Sequence, residues 1–347
     1  MASRIVGIDL GRDTIRAVEV ENPDKARPVV TKYHEVPVPE GALRSGEVRE
    51  LNTVTAAVKK LWSSGGFSSK NVVLGMANQR VLVRDLSMPK MGLTQIREAL
   101  PFQVQDMLPV PVADALLDFY PISESESPTG PLVNGLLVAA IKESVLGNVN
   151  AIRQAGLNVK EVDLIPFALH RVLVRGPLAQ TTVAIVDIGS STTNVVISEM
   201  GVPQFVRIIP MGGSSITEAL RSRLEVTEEQ AESIKAHRGL SSAPATSELD
   251  FASIDIIRAS ALELLNGIRN TLNFYVGSHE GQAIQGIVLS GGGARLSGIV
   301  QALGDMTRLQ VIAADAFSTI EVAKSFKSTA SPQSMTVALG LALGSAA

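Results

Sequence analysis

Two stretches of this chain share one unusual pattern. In IVGIDLGRDTIRAVEV (residues 5–20) and AIVDIGSSTTNVVIS (184–198), an apolar strand ends on an acid, glycine follows two residues later, and an apolar strand resumes after a polar turn. Asp9 thus returns as Asp187, 178 residues on in a chain of 347. An acid closing a buried strand is costly unless something uses it, and a recurrence about half a chain apart argues for two like lobes. The length points the same way, since it exceeds what one small core organises.

A strand–turn–strand built on D-x-G exposes consecutive backbone N–H groups, which together make a concave anion site. Glycine at the third position (Gly11, Gly189) lets that backbone approach a ligand with no Cβ in the way. The first loop adds Arg12, Asp13 and Thr14; the second adds the hydroxyls of Ser190, Ser191, Thr192 and Thr193 and is the stronger half of the pair. The strand-end acids Asp9 and Asp187 suit Mg²⁺, a hard cation that keeps much of its water while bridging phosphate oxygens. Either loop alone reads as an acid capping a turn, whereas two facing loops would grip a polyphosphate and its metal from both sides. VLSGGGARLSG (288–298) adds a strand running into Gly291, Gly292 and Gly293, with Arg295 beyond, a shape that admits a flat base or a phosphate against bare backbone. It lacks the G-x-x-x-x-G-K-[ST] of a P-loop, and neither acid-bearing turn opens a helix as a Rossmann site does.

Other classes are set aside by composition. A net charge of −3 with no basic cluster leaves nucleic acid a poor partner. There are no cysteines, and His34, His170, His237 and His279 lack metal-ligand spacing. The longest apolar runs, such as 135–141 and 337–344, are too short to span a bilayer, and a strand-like IVGIDL stands where a secretory signal would begin. A cytoplasmic location is the expectation.

Along the chain, strands are expected at 4–10, 14–20, 29–38, 71–77 and 79–89, with a helix carried by Val48, Leu51, Val54, Val58 and Leu61 and stopped by SSGG at 63–66. Thr94 is expected to cap a helix with Ile96, Leu100, Val104 and Leu108 inward and Pro101 bending or splitting it. SESESPTGP (123–131) reads as a solvated loop between two strands; a helix over 143–156 and a strand over 157–165 complete an inserted block. The second half repeats the pattern of the first over 182–200 and 204–213, and predicts a helix at 226–239 with a Thr227/Gln230 capping box, a mobile loop at 238–250 and a long helix lined by Ile257 through Tyr275. Strand, glycine turn and helix follow over 286–304, and a small-residue helix able to pack closely closes the chain. Strands alternating with helices in both halves give an α/β fold.

In this order the elements resemble the actin-like ATPase superfamily, which includes actin, Hsp70-type chaperones, sugar kinases and the division protein FtsA. The resemblance implies a bilobal actin-like fold built on a ribonuclease H-like repeat, with an inserted α+β subdomain in the first lobe. IDLGRDTIRAVEV is similar to the first phosphate loop, IVDIGSSTTNVVI to the second and IVLSGGGARLSGI to the adenosine motif. Arg16 falls where members carry a basic residue near the phosphates, Gly212 and Gly213 in IPMGGSSIT match a segment following the second loop in FtsA, and Glu232 and Lys235 have the spacing of the pair flanking adenine and ribose. Within the superfamily, LSMPKMGLTQIREALPFQVQDMLPVPVADALLDFYPIS and EVDLIPFALHRVL resemble the PilM family of type IV pilus assembly. That resemblance implies ATP and Mg²⁺ as ligands, with Asp9 and Asp187 at the metal. It also implies capture of the N-terminal cytoplasmic peptide of a PilN-like inner-membrane protein between first lobe and insert, at the inner face of the membrane. The implied division is 1–80 plus 162–180 for the first lobe, 81–161 for the partner-binding insert, 181–222 plus 258–347 for the second lobe and 223–257 for a small nucleotide-flanking subdomain.

One departure bears on catalysis. Hydrolytic relatives tend to carry Glu or Gln at the position of Ile165, and isoleucine cannot polarise water. Tight nucleotide binding with slow hydrolysis or none is expected, Asp187 being the one catalytic candidate. A sugar-kinase or acetate-kinase type of phosphotransferase is the alternative, although no carboxylate beyond Asp9 and Asp187 offers a general base. An FtsA-like filament former is another, although ALGLALGSAA is no basic amphipathic membrane helix; self-association stays open.

Overall fold

The computed structural model describes residues 3–128, 130–240, 247–279, 281–328 and 330–344. The first half runs β1 (Arg4–Leu10), β2 (Thr14–Glu21), β3 (Val29–Pro37), the two-residue strands β4 (Leu43–Arg44) and β5 (Glu47–Val48), α1 (Leu51–Gly65) and β6 (Asn71–Met76). Next come β7 (Val81–Pro89), α2 (Leu93–Gln103), β8 (Ala115–Ser127), β9 (Gly130–Ile141), α3 (Lys142–Gln154), β10 (Asn158–Leu164) and α4 (Ile165–Leu173). The second half runs β11 (Thr182–Ile188), β12 (Thr193–Glu199), β13 (Val202–Ile209), α5 (Gly213–Leu224), α6 (Glu228–Arg238) and α7 (Glu248–Ser278). It ends with β14 (Gly286–Ser290), α8 (Ile299–Thr307), β15 (Gln310–Ala313), β16 (Glu321–Val322) and α9 (Pro332–Ala342).

The repeat read from the two acid-bearing hairpins extends through both sheets. The first orders its strands β3-β2-β1-β6-β10, with β16 added outside β3, and the second orders them β13-β12-β11-β14-β15. In each, three strands form an antiparallel meander and the next two join parallel to the first. Parallel strands covered on both faces need continuous apolar sequence, and Val183–Val186 and Val72–Leu74 supply it almost without exposure.

Between the sheets lie α4 and α9, within a core that takes Val18 and Val20 from one sheet and Val183, Ile185 and Val196 from the other. The small-residue helix at the C-terminus packs as closely as its composition suggests. A Cβ on Gly7 would stand 2.0 Å from the Ala338 carbonyl oxygen, and one on Gly340 would stand 2.2 Å from that of Ala168. Close backbone approach of this kind leaves room for glycine alone.

The lobe boundaries differ from the expected division at three places. β16 and α9 pair with and pack on the first sheet, so the second lobe does not run to 347. α3 packs on α1 and β10 pairs with β6, so the insert ends at β9 and not at 161. α5 shares a core with α6 and α7 through Ile216, Leu220, Ala231 and Ile257, which enlarges the small subdomain beyond 223–257. Each return was invisible locally because strand partnership is set by distant residues.

The insert itself is a three-stranded sheet, β7-β9-β8, covered by α2 on a core of Met88, Ile96, Leu100 and Phe119. The expected loop at 123–131 is largely strand: β8 continues to Ser127 and β9 begins at Gly130, because a cross-strand ladder pairs Glu124 with Val133 and Glu126 with Pro131. Helix α2 starts from Gly92, not Thr94, and carries Pro101 in its last turn; a short 3₁₀ turn, Gln105–Met107, takes the place of its expected continuation to Leu108. The loop expected at 238–250 lies partly outside the described residues; within them, Glu248 already opens α7, capped by Ser247.

Candidate functional site

Both hairpins close in the same way. Gly11 N–H donates to the Thr14 carbonyl at 3.0 Å and Gly189 N–H to the Thr192 carbonyl at 2.9 Å. The registers match too, with Asp9 opposite Arg16 and Asp187 opposite Asn194. The two loops meet across an inter-lobe cleft of about 660 Å³. Its lining includes Asp9, Gly11, Arg12, Asp13, Thr14 and Arg16 from the first lobe. From the second come Asp187, Gly189, Ser190, Ser191, Thr192 and Gly213, and the nucleoside-flanking candidates Glu232 and Lys235 and the adenosine-motif residues Gly291, Gly292, Gly293 and Arg295 line it as well.

Two candidates do not face the cleft. Thr193 is fully buried and donates its hydroxyl to the Met211 carbonyl at 2.8 Å, tying β12 to the segment before α5. Gly212 supports the second loop from behind: a Cβ there would stand 2.5 Å from the carbonyl oxygens of Gly189 and Ser190. This close approach lets Gly213 N–H reach the Gly189 carbonyl and Ser214 N–H the Ser190 carbonyl, each at 2.9 Å, so α5 begins directly under the loop. Gly291, at φ +89°, is likewise pressed on Ile188, whose carbonyl oxygen would be 2.3 Å from a Cβ. Bare backbone therefore reaches the cleft beside the second hairpin.

The acids are held in unlike settings. Asp187 is 5% exposed, and burial pushes its carboxyl up to about 6; a hydrogen bond from Asn194 Nδ2 (3.4 Å) opposes the shift and the charge of Asp9 adds to it. Burial also raises Asp9, against the guanidinium of Arg16 at 3.7 Å. Glu232 is lowered overall: burial works against its charge, but hydrogen bonds from Lys235 and Thr217 outweigh it. Lys235 Nζ also donates to Thr217 Oγ1 (2.7 Å) and the Gly213 carbonyl (3.2 Å), which fixes the pair below the start of α5.

A buried carboxylate raised further by a second, partly buried one favours a cation between them. Asn194, whose Nδ2 donates to Asp187, has a buried Oδ1 that accepts no hydrogen bond among the described residues and so remains available as a further oxygen on the cleft lining. No cluster of three or more His, Cys, Asp or Glu suited to a metal occurs among the described residues. The donor set of two carboxylates and one amide oxygen therefore fits a magnesium ion that arrives with phosphate and water ligands, not a protein-only cage.

Several cleft residues gave no signal in the sequence. Ser331, Gln333 and Ser334 come from the first turn of α9 and Ser45 and Gly46 from the β4–β5 turn, all brought in by tertiary packing. Ile165 does line the cleft, from the first residue of α4 and not from a strand end; nearby Asp163 is buried and paired with Arg171 at 3.0 Å, outside the cleft lining. Ion pairs join the lobes at the cleft mouth: Arg12 on the first hairpin meets Glu228 on α6 at 2.9 Å, and Arg221 on α5 meets Glu228 at 3.0 Å and Glu40 at 3.9 Å.

A family model described as type IV pilus assembly protein PilM matches residues 7–346. The chain belongs to this family. The whole fold also resembles a solved type IV pilus biogenesis complex of PilM and PilN, at 27% identity and a TM-score of 0.82, covering 98% of this chain and 97% of the other. A crystal structure of MreB5 of Spiroplasma citri bound to ADP is similar at 13% identity and a TM-score of 0.53, covering 97% and 94%, a likeness of fold alone. The cell division protein FtsA of Bacillus subtilis (strain 168) is 20% identical over 278 residues, 73% of this chain. That alignment spans only 62% of FtsA. The fold is thus the bilobal actin-like one that the resemblance implied, and family membership ranks the FtsA-like alternative below the pilus reading.

Proposed function

We propose that this protein is a nucleotide-loaded scaffold of a type IV pilus assembly platform. In this reading ATP and Mg²⁺ occupy the cleft and fix the relation of the lobes, and the N-terminal cytoplasmic peptide of a PilN-like membrane protein docks beside the insert. The observation that carries it is the pair of matched hairpins facing one cleft, with buried Asp187 and partly buried Asp9 on its lining beside Asn194, whose Oδ1 has no hydrogen-bond partner among the described residues. Backbone N–H groups of both hairpins hold the phosphates, Arg16 and Lys235 supply positive charge, and Glu232 and the Gly291–Gly293 turn flank the nucleoside. The metal, when bound, neutralises phosphate charge.

Ile165 offers no group to orient an attacking water, so the nucleotide is held and turned over slowly or not at all. The PilM–PilN complex supports the partner. No helix among the described residues is long and apolar enough to cross a membrane, in keeping with recruitment through that partner on the cytoplasmic face.

The test is calorimetry of the PilN-like peptide with wild type and Asp187→Ala, each with and without Mg·ATP. Nucleotide and peptide affinity should fall together in the variant. Peptide binding indifferent to nucleotide would remove the scaffold coupling, because linked sites must affect one another reciprocally. Rapid ATP turnover on a screened small hydroxylated substrate would instead revive the phosphotransferase.

A further inference from the structure

The insert joins the first lobe through a neck of two chain segments. The chain enters by residues 77–80 into β7 and leaves by Ile141 into α3, and the Ile141 N–H donates to the Arg80 carbonyl at 3.0 Å across the two. Beside this neck lie four polar side chains, Glu47, Asn78, Ser144 and Asn148, none more than 7% exposed. Polar groups this deep need partners, and each of the four has them.

Asn148, on α3, pins the β4–β5 turn. Its Nδ2 donates to the Gly46 carbonyl at 2.7 Å and its Oδ1 accepts from the Val48 N–H at 2.9 Å. The turn needs such support, because Ser45 (φ +50°) and Gly46 (φ +76°) are both left-handed and only the second is a glycine. Both residues line the nucleotide cleft. Glu47, next along the chain, reaches the neck by two links. One runs directly to Arg80 Nε at 3.3 Å. The other runs through Ser144, whose hydroxyl donates to Glu47 at 2.9 Å and accepts from Asn78 Nδ2 at 3.2 Å. Asn78 in turn accepts the Arg80 N–H at 2.9 Å. Just before it, Ala77 lines the cleft, and its carbonyl accepts the Thr192 hydroxyl of the second hairpin at 3.4 Å.

We propose that Glu47 and Asn148 are positioning residues that make the β4–β5 turn a lever between the nucleotide cleft and the neck of the insert. A ligand seated against Ser45 and Gly46 shifts the turn, Asn148 makes that shift one of turn and α3 together, and Glu47 passes it to Arg80 and Asn78, which set the angle at which β7 leaves the lobe. Apolar side chains of like volume would fill this space at no loss of stability, whereas hydrogen bonds of fixed length and direction transmit a displacement. The network is also contiguous from cleft to insert, as a coupling route of this kind must be. The inference rests on the nucleotide-loaded scaffold reading and adds to it the route by which cleft occupancy reaches a groove between first lobe and insert.

Hydrogen exchange of the full chain, read by mass spectrometry with and without Mg·ATP, tests the route. In wild type Mg·ATP should slow exchange in both hairpins, in the turn at 43–48 and in the neck at 78–83. Arg80→Met, which keeps the aliphatic stem at a partly exposed site, should lose part of the neck protection. Arg80→Met/Ser144→Ala, which cuts both links, should lose nearly all of it while turn and hairpins stay protected. Unchanged nucleotide affinity and a cooperative melt distinguish this from a loss of fold. In calorimetry, Mg·ATP should tighten binding of the PilN-like peptide about tenfold in wild type and less than about twofold in the double variant. Neck protection kept by the double variant, or nucleotide protection confined to the hairpins, would overturn the lever and leave the scaffold reading standing. Hairpins left unprotected would overturn both. Peptide affinity indifferent to Mg·ATP in wild type would remove the scaffold coupling, and the exchange pattern at the neck would still decide the lever.

Discussion

Replacing Asp187 by Asn separates what this residue does for the site from what it costs the fold. Its folded-state carboxyl is raised from 3.8 to about 6. For an acid raised on folding, the ionised form is the disfavoured one. The cost is therefore fully present above pH 6, shrinks as pH falls through 6, and is gone below about 4, where the carboxyl is protonated in both states. A shift of about two units corresponds to about 3 kcal/mol. Asn is isosteric and neutral, so Asp187→Asn should stabilise the nucleotide-free protein by about 2 kcal/mol at pH 7.5, after loss of part of its contact with Asn194, and by nearly nothing at pH 4. Urea denaturation of both proteins over pH 4–8, without nucleotide, measures this directly. In the same assay Mg·ATP should stabilise wild type far more than the variant, which lacks the carboxylate proposed to hold the metal. A variant less stable than wild type at pH 7.5, or a stability difference independent of pH, would refute the argument that Asp187 is held strained for a cation.

Three other outcomes follow from the geometry. Ile165→Gln places a polar group on the cleft wall and should raise ATP turnover at least about tenfold in a phosphate-release assay, at a small cost in melting temperature from the contact with Gly75; unchanged turnover would show that something else limits hydrolysis. Glu228→Gln removes the acid shared by Arg12 and Arg221 across the mouth, so release of a fluorescent ATP analogue should quicken about fivefold at low salt, with the difference vanishing at high salt; stopped-flow displacement reads it. Gly340→Val should lower stability by about 3 kcal/mol or more, because the Cβ meets the Ala168 backbone at 2.2 Å and α9 cannot retreat without opening the inter-lobe core; thermal melts check it, and a neutral result would mean α9 is loosely seated.

The features legible in the sequence were those written in local chemistry. D-x-G at 9–11 and 187–189 marked both hairpins, because only a bare backbone position after a strand-end acid makes that turn. The alternation of strands and helices marked the α/β class, and the Thr227/Gln230 capping box placed the start of α6 correctly. Even the crowding of α9 was implied by its small residues, though not the surface it would meet. The pairing of elements distant in the chain was decided elsewhere. Tertiary structure returned β16 and α9 to the first lobe, carried Ser331 and Ser334 into the cleft and turned Thr193 inward. The physical reason is the range of the interaction: turn and cap preferences are settled within a few residues, whereas strand register and helix docking depend on burial against residues a hundred or more positions away.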